Sequence, residues 1–262
     1  MRIRVDEKLN IDTVLYKTPN TLLLGLRNKS SDIAFIVCEV TSMSVDDENH
    51  PCKWGKHLTI PSRKEYNLLK GDVITMYFPF ECKGLQQAGE DLAFYINENM
   101  KCYKRIVIIG HSKAGVCIAN MARMLIRKSV LIFVSAPFEG TKLADSEEVK
   151  KRVTKTEFGI YDKYFNQHPV DLDIIPNSYF LKEVADFSGV TRHTCVNIIS
   201  ECVGIHSVED IIFKYIAFRM GYEHSDGIVS VSSQKALSES YQMRTIEIDA
   251  SHANSLKKVL EK

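Results

Sequence analysis

Apolar residues along the chain alternate between short β-branched runs and longer segments with helical spacing. The short runs predict strands at residues 32–40, 72–78, 106–110, 130–135, 194–200 and 243–249. Residues 11–17 and 21–26, separated by Thr-Pro-Asn, predict a leading hairpin. Helices are predicted over 84–100, with Leu85, Ala88, Leu92 and Tyr95 on one face, and over 112–128. Because strands that alternate with helices usually pair in parallel, the pattern predicts an α/β fold with an antiparallel edge.

Two segments interrupt this alternation. Residues 141–192 and 201–225 are long, aromatic-rich stretches between predicted strands. Connections of this length in a compact domain usually carry structure of their own or act as lids. We therefore expect helical cap insertions, and most of their aromatic side chains are expected to bury one another.

Ser112 follows the β-branched run at residues 106–109 and precedes a helical pattern. The sequence Gly-His-Ser-Lys-Ala over residues 110–114 matches the strand-turn-helix pattern G-x-S-x-G except that alanine replaces the second glycine. Such a turn presents the serine hydroxyl as a nucleophile, whereas an isolated serine at this place is often only a helix N-cap.

A nucleophilic serine needs a base and an orienting acid. His252 follows the predicted strand 243–249 and precedes a terminal helical pattern over 253–262, which places it on a loop. Asp226 stands beside Gly227 ahead of an apolar segment, where an ordinary Asp-Gly turn is the alternative interpretation. The chain order Ser112, Asp226, His252 agrees with the order of such triads on strand-turn-helix scaffolds.

At these residues the chain resembles the α/β-hydrolases, and within them the lipase and esterase branch. The similar segments are residues 110–115, 135–145 and 226–234 together with His252. The resemblance implies an α/β-hydrolase fold, with a mostly parallel central sheet flanked by helices and with helical cap insertions. We expect one domain over residues 1–262, with the caps at about 141–192 and 201–225.

The resemblance implies a serine hydrolase that cleaves carboxylic esters through Ser112, His252 and Asp226 and an acyl-enzyme. Alternatives are a thioesterase or acyltransferase with the same triad, and a non-catalytic module with this fold. Neither a metal nor another cofactor is expected, since the histidines show no metal-binding spacing. The expected partner is a small-molecule acyl ester.

Two backbone donors are expected to bind the oxyanion. One is the N–H of Lys113, the residue after the nucleophile. The other is expected from the loop after strand 32–40, where the family has His-Gly and this chain has Glu39 and Val40. We assign Thr41, with Val40 and Ser42 as alternatives.

Other residues near these motifs receive secondary assignments. Phe213 and Phe218 are expected to wall an acyl pocket in the cap. His111 is expected to pack beside the turn, and His224, two residues before Asp226, could compete for the Asp226 carboxylate. Asp249 is an alternative acid, poorly placed three residues from His252.

Composition narrows the function classes. The 262 residues are 45% hydrophobic, enough for a full α/β core, and 34 Lys and Arg against 33 Asp and Glu leave a net charge of +1. This balance provides no electrostatic case for binding nucleic acid or an anionic membrane. The charge and composition do not predict an oligomeric state.

The cysteine pattern and the N-terminus bear on the compartment. Seven cysteines show no C-x-x-C pair and leave an odd one over, which is typical of reduced thiols. The N-terminus has no apolar segment of a signal peptide, and no run approaches the roughly 18 apolar residues of a membrane span. We therefore expect a cytoplasmic protein without a transmembrane segment.

Overall fold

The structure, a computed structural model, describes residues 2–5, 11–17, 22–26, 32–39, 57–60, 68–77, 84–165, 172–204 and 208–261. The strands are β1 (Arg2–Val5), β2 (Ile11–Lys17), β3 (Leu22–Leu26), β4 (Ile33–Glu39), β5 (His57–Ile60), β6 (Asp72–Tyr77), β7 (Arg105–His111), β8 (Val130–Val134), β9 (Thr194–Glu201) and β10 (Arg244–Asp249). The helices are α1 (Leu85–Asn99), α2 (Lys113–Met121), α3 (Ser146–Arg152), α4 (Lys155–Phe165), α5 (Val208–Arg219), α6 (Val231–Tyr241) and α7 (His252–Leu260).

The central sheet has the order β10-β9-β8-β7-β4-β6-β3-β2. Strands β10 through β6 in this order pair in parallel, whereas β3 is antiparallel to both β6 and β2. The predicted α/β fold and leading hairpin are confirmed. Strand β4 has β6 on one side and β7 on the other, so the chain winds away from β4 in both directions. Such reversals open a crevice at the carboxyl ends of the strands, where ligands bind in open α/β sheets.

The sheet is buried on both faces. Along β7, Ile106 and Ile108 pack into a core shared with α1 and α2. Val107 and Ile109 point to the other face and pack with Leu256 of α7. Because successive strand residues point to opposite faces, an uninterrupted β-branched run suits this central position. The predicted buried face of α1 is confirmed.

The two inserted segments share a core of their own. Leu143, Val149 and Tyr161 from the first segment pack with Phe213 and Ile216 of α5. The hydroxyl of Tyr161 donates to the carbonyl oxygen of Leu143 at 2.7 Å. The aromatic residues that make these segments conspicuous in the sequence therefore serve in part to hold the segments together.

Helix α2 is shorter than the predicted helix 112–128. It ends at Met121, and a 3-10 turn over Ala122–Met124 follows. The side chain of Asn97 in α1 donates to the carbonyl oxygen of Met124 at 2.9 Å and accepts from the N–H of Ile126 at 3.0 Å. These tertiary hydrogen bonds replace the helical ones, so the segment leaves the helix.

Strands β1 and β5 and helix α6 were not predicted from the sequence. Strands β1 and β5 pair in parallel with each other over four residues each, too short for a clear pattern. Helix α6 buries Ser233, Gln234 and Ser238 along with Leu237. Because most of its buried face is polar, apolar periodicity did not reveal it.

Candidate active site

Ser112 occupies the sharp turn between β7 and α2. Its backbone has φ 56° and ψ −134°, outside the regions that non-glycine residues prefer. Its N–H donates to the carbonyl oxygen of Val134 in the neighbouring strand at 2.9 Å, and its carbonyl oxygen accepts from Gly115 at 2.8 Å. Strained residues persist where the surrounding structure holds them, and they cluster at functional sites.

Small residues on either side of Ser112 allow this turn. A Cβ at Gly110 would lie 2.8 Å from the carbonyl oxygen of Ala114 and from the Cα of Gly115. Gly115 makes the second close approach, one position later than the G-x-S-x-G pattern places it, and Ala114 is accommodated as a fully buried residue. The alanine in the motif therefore leaves the turn intact.

The side chains of Ser112, His252 and Asp226 form one hydrogen-bonded row. Nε2 of His252 lies 2.9 Å from Oγ of Ser112, and Nδ1 of His252 lies 2.7 Å from Oδ2 of Asp226. Because a carboxylate oxygen only accepts, Nδ1 carries the proton and Nε2 faces the hydroxyl as an acceptor. The three residues are thus brought together in the geometry of a nucleophile, a base and an orienting acid.

The sequence prediction placed His252 on a loop, and here the structure differs. His252 is the first residue of α7, with Ser251 at the N-cap position. The helix therefore begins one residue earlier than the apolar pattern indicates. The helix start fixes the backbone of His252 while its side chain reaches toward Ser112.

The Asp226 carboxylate is fully buried and richly hydrogen-bonded. Its Oδ1 accepts from the N–H groups of Ile228 at 3.0 Å and Val229 at 2.8 Å. Its Oδ2 accepts from Oγ of Ser200 at 3.0 Å and from Nε2 of Gln234 at 3.4 Å, besides His252. A buried charge is tolerated only with such partners.

The backbone of His252 is held as firmly as its ring. Its N–H donates to the carbonyl oxygen of Asp226 at 2.9 Å, and its carbonyl oxygen accepts from Nε2 of His111 at 2.9 Å. The two imidazole rings lie 4.8 Å apart between centroids. His111 packs beside the turn as expected, but its hydrogen bond to His252 was not predicted.

Solved structures share this architecture. An esterase of Pyrococcus furiosus is 12% identical over 97% of this chain and 87% of that chain, with a TM-score of 0.53. A second crystal form of that esterase is 13% identical over 97% and 91% of the two chains, with a TM-score of 0.52. The chain has the α/β-hydrolase fold.

No protein-family model and no curated protein sequence matches it. A mature lipase of Bacillus licheniformis is 14% identical over 95% and 92% of the chains, with a TM-score of 0.48.

The structure describes only one of the two predicted oxyanion donors. Lys113 is the first residue of α2, and N–H groups at a helix N-terminus carry partial positive charge that favours an anion. Thr41, together with the alternatives Val40 and Ser42, lies outside the described residues. Both oxyanion donors therefore stay predictions.

Two residues that could compete within the candidate site have other partners. Oδ1 of Asp249 accepts from the N–H groups of Val203 at 3.0 Å and Gly204 at 3.4 Å. Nδ1 of His224 lies 2.7 Å from Oε1 of Glu201. Asp226 thus has the contact to His252 that an orienting acid requires.

The aromatic residues assigned to an acyl pocket lie in different surroundings. Phe213 is buried in the core of the inserted segments, and a Cβ at Gly227 would lie 3.3 Å from its Cβ. Phe218 is 69% exposed on α5. Phe213 therefore backs the loop that carries Asp226, and the binding role of both residues stays a prediction.

Further features of the described part of the chain bear on the sequence expectations. No cluster of three or more His, Cys, Asp or Glu side chains there could hold a metal ion. No helix in the same part is long and apolar enough to span a bilayer. The described cysteines, at positions 38, 102, 117, 195 and 202, form no disulfide with one another. Burial raises the pKa of the Cys195 thiol to about 11, which disfavours the thiolate near neutral pH.

Proposed function

We propose that the protein is a serine hydrolase that cleaves carboxylic esters through Ser112, His252 and Asp226. The observation that carries the proposal is the row of contacts of 2.9 Å and 2.7 Å that links the hydroxyl, the imidazole and the carboxylate. The positive φ of Ser112 supports the same role, because this strained turn is what lifts a hydroxyl clear of the backbone.

In the proposed reaction Nε2 of His252 takes the hydroxyl proton as Oγ of Ser112 attacks the ester carbonyl carbon. The resulting tetrahedral intermediate collapses when the imidazolium returns that proton to the departing alcohol oxygen. The acyl group then remains on Ser112. A water molecule then gives one proton to Nε2 of His252 and attacks the acyl carbon, and the acid is released as the imidazolium returns that proton to Oγ of Ser112.

Asp226 acts on His252 in this scheme. Its carboxylate keeps the proton on Nδ1, so that Nε2 is the basic nitrogen, and it stabilises the imidazolium that forms. Because the carboxylate is fully buried, its attraction for the imidazolium is little screened by solvent.

The oxyanion of each tetrahedral intermediate is assigned to the backbone N–H of Lys113 and to a donor at Thr41. Donors already in place need no rearrangement during the reaction, and loss of one such donor typically costs about 10²–10³ in kcat.

The proposed substrate is a small-molecule acyl ester whose acyl chain reaches Phe213 and Phe218. The Pyrococcus furiosus protein with the same fold is an esterase, which agrees with this class of substrate. The alternatives, a thioesterase or an acyltransferase with the same triad, differ in the leaving group or in the acceptor that replaces water.

A fluorophosphonate probe followed by mass spectrometry tests the proposal. We expect the probe on Ser112, and the Ser112→Ala variant is expected to lose ester turnover by roughly 10⁶. Ser232→Ala, at an exposed serine, is the matched control and should retain full turnover.

A panel of nitrophenyl esters of graded acyl length, with matched thioesters and added alcohols, identifies the leaving group. Faster turnover of thioesters would favour a thioesterase, and transfer to the alcohols an acyltransferase. Labelling of a different serine, or no labelling of the folded protein, would refute the proposal.

A further inference from the structure

Three fully buried serines lie behind the row formed by Ser112, His252 and Asp226. Ser135 follows β8, Ser200 belongs to β9 and Ser255 belongs to α7, and each has 0% exposure. Oγ of Ser135 lies 2.6 Å from Oγ of Ser200 and 2.8 Å from Oγ of Ser255. The hydroxyl of Ser135 thus contacts both a strand and a helix.

The two ends of this serine network reach Asp226 and His252. Oγ of Ser200 donates to Oδ2 of Asp226 at 3.0 Å, the oxygen that also accepts from His252. Oγ of Ser255 donates to the carbonyl oxygen of His252 at 3.0 Å. Since His252 contacts Asp226 directly, the contacts close into a ring.

We propose that Ser135, Ser200 and Ser255 are positioning residues that hold the Asp226 carboxylate and the His252 backbone as one unit. The inference deepens the proposed hydrolase function and rests on it. None of the three serines is assigned to touch substrate, so each would act through Asp226 or His252.

The backbone of Ser135 supports a specific role for its hydroxyl. Ser135 has φ 53°, a left-handed conformation that is uncommon for a residue with a Cβ. Its N–H donates to the carbonyl oxygen of Ile198 in β9 at 3.0 Å, which holds the residue in this conformation. The strained backbone places Oγ between Ser200 and Ser255.

The number of protons makes the network cooperative. An ionised carboxylate and a carbonyl oxygen only accept, so the three hydroxyl protons can fill only three of the four contacts of the network at one time. Ser200 uses its proton on Asp226, and Ser135 has a single proton for its two hydroxyl neighbours. When Ser135 donates to Ser200, it polarises the hydroxyl that contacts Asp226 and strengthens that bond.

Removal of the Ser200 hydroxyl has a defined consequence for the imidazole. Oδ2 of Asp226 loses one donor and becomes a stronger acceptor for the Nδ1 proton of His252. The carboxylate also loses one of the contacts that fix its position. A misplacement of about 1 Å at a catalytic group can cost roughly a hundredfold in rate, so a smaller shift is expected to cost about tenfold.

The test measures the low-field proton resonance of His252 Nδ1–H together with ester kinetics. In Ser200→Ala we expect this resonance to move downfield and to exchange faster with solvent, and kcat to fall about tenfold with KM unchanged. Ser135→Ala should shift the resonance in the same direction by less, because Ser200 keeps its own bond to Asp226.

Two further variants separate positioning from general stability. Ser200→Cys has a side chain close in size to serine, but its thiol is a weak hydrogen-bond donor. We expect it to show the same resonance shift and the same loss of kcat as Ser200→Ala. It therefore provides the test even if the alanine variant folds poorly. Ser238→Ala removes another buried hydroxyl, one that donates to the carbonyl oxygen of Lys235 and accepts from Nδ2 of Asn197, and should leave the resonance unchanged.

The outcomes distinguish the two proposals. If Ser112 is labelled but both Ser200 variants keep the wild-type resonance and kcat, the positioning network is refuted while the hydrolase proposal stands. An equal shift of the resonance in Ser238→Ala would also refute it. If Ser112 is not labelled, the hydrolase proposal fails, and the resonance alone still reports whether the serines act on the His252 to Asp226 bond.

Discussion

Gly115 lies so close to Ala136 that a Cβ at position 115 would be 2.5 Å from the Cβ of Ala136. The same Cβ would lie 3.1 Å from the carbonyl oxygen of Gly110. Helix α2 therefore rests directly on the backbone that leaves β7 and on the segment that follows β8. We expect this close packing at Gly115 to fix where the helix begins, and with it the position of Ser112.

Replacing Gly115 is expected to disturb the fold and the turn together. We expect Gly115→Ala to lower the free energy of unfolding by about 1–3 kcal/mol, as overpacking of a core does. The rate of Ser112 phosphonylation should fall in the same variant. Urea unfolding and probe kinetics measure the two effects.

Gly159→Ala is the matched control for this substitution. Gly159 lies in α4 with no atom within 4 Å of its added Cβ. Alanine favours the helix interior over glycine by up to about 1 kcal/mol, so this variant should gain stability and keep wild-type labelling. A Gly115→Ala variant as stable and reactive as wild type would show that the contact with Ala136 does not position the turn.

Asp226→Asn is expected to keep the fold and to lower turnover by roughly 10⁴. The amide can still accept hydrogen bonds from Ile228 and Val229, but it favours the wrong imidazole tautomer and does not stabilise the imidazolium. Steady-state ester kinetics provide the measurement.

Asp249→Asn is the companion variant for the acid. Its side-chain oxygen can still accept from the N–H groups of Val203 and Gly204, so turnover should change little. A larger loss in Asp249→Asn than in Asp226→Asn would reverse the assignment.

His193 is expected to make the fold sensitive to mild acid. Its Nδ1 accepts from the N–H of Ser129 at 3.1 Å and its Nε2 donates to the carbonyl oxygen of Ala122 at 3.0 Å, an arrangement that requires the neutral ring. Burial lowers the pKa of His193 below its ordinary value of 6.5, and the nearby charges of Arg192 and Lys128 add to this. The unfolded chain therefore binds a proton more readily than the folded one.

The sign of the effect follows from this difference. The contribution of neutral His193 to stability is complete above pH 6.5 and is lost as the pH falls toward the lower pKa of the folded state. His193→Gln can make both hydrogen bonds without titrating. Denaturant unfolding at about pH 7.5 and about pH 5.5 should show a smaller loss in the variant than in wild type, and equal losses would contradict the prediction.

The acyl pocket is tested most cleanly at Phe218. We expect kcat/KM to climb from acetate to longer esters by roughly fourfold per methylene, since each buried methylene contributes about 0.8 kcal/mol. Because Phe218 is 69% exposed, Phe218→Ala should fold normally, flatten the climb and leave acetate hydrolysis unchanged.

Phe213 needs a separate experiment because of its burial. Phe213→Ala is expected to destabilise the inserted segments by about 3–5 kcal/mol, which would mix stability with specificity. If kcat/KM rises with acyl length in Phe218→Ala as it does in wild type, Phe218 does not contact the acyl chain.

Much of the architecture could be predicted because it depends on neighbouring residues. The β-branched run of β7 and the spacing of α1 are local patterns, and each was assigned correctly. The end of α2 was not, because Asn97 of α1 terminates it from across the interface. Helix α6 was missed because its buried face is mostly polar.

The sequence by itself determined the order of Ser112, Asp226 and His252 and the turn chemistry around each of them. Only the tertiary structure decided that their side chains meet, that Gly115 rather than residue 114 makes the close approach, and that His111 binds the backbone of His252. It also brought together Ser135, Ser200 and Ser255, which are separated by 65 and 120 positions along the chain. Hydrophobic periodicity encodes which face of an element is buried, whereas a buried hydroxyl finds its partner only when distant elements pack, so such contacts leave no local pattern to read.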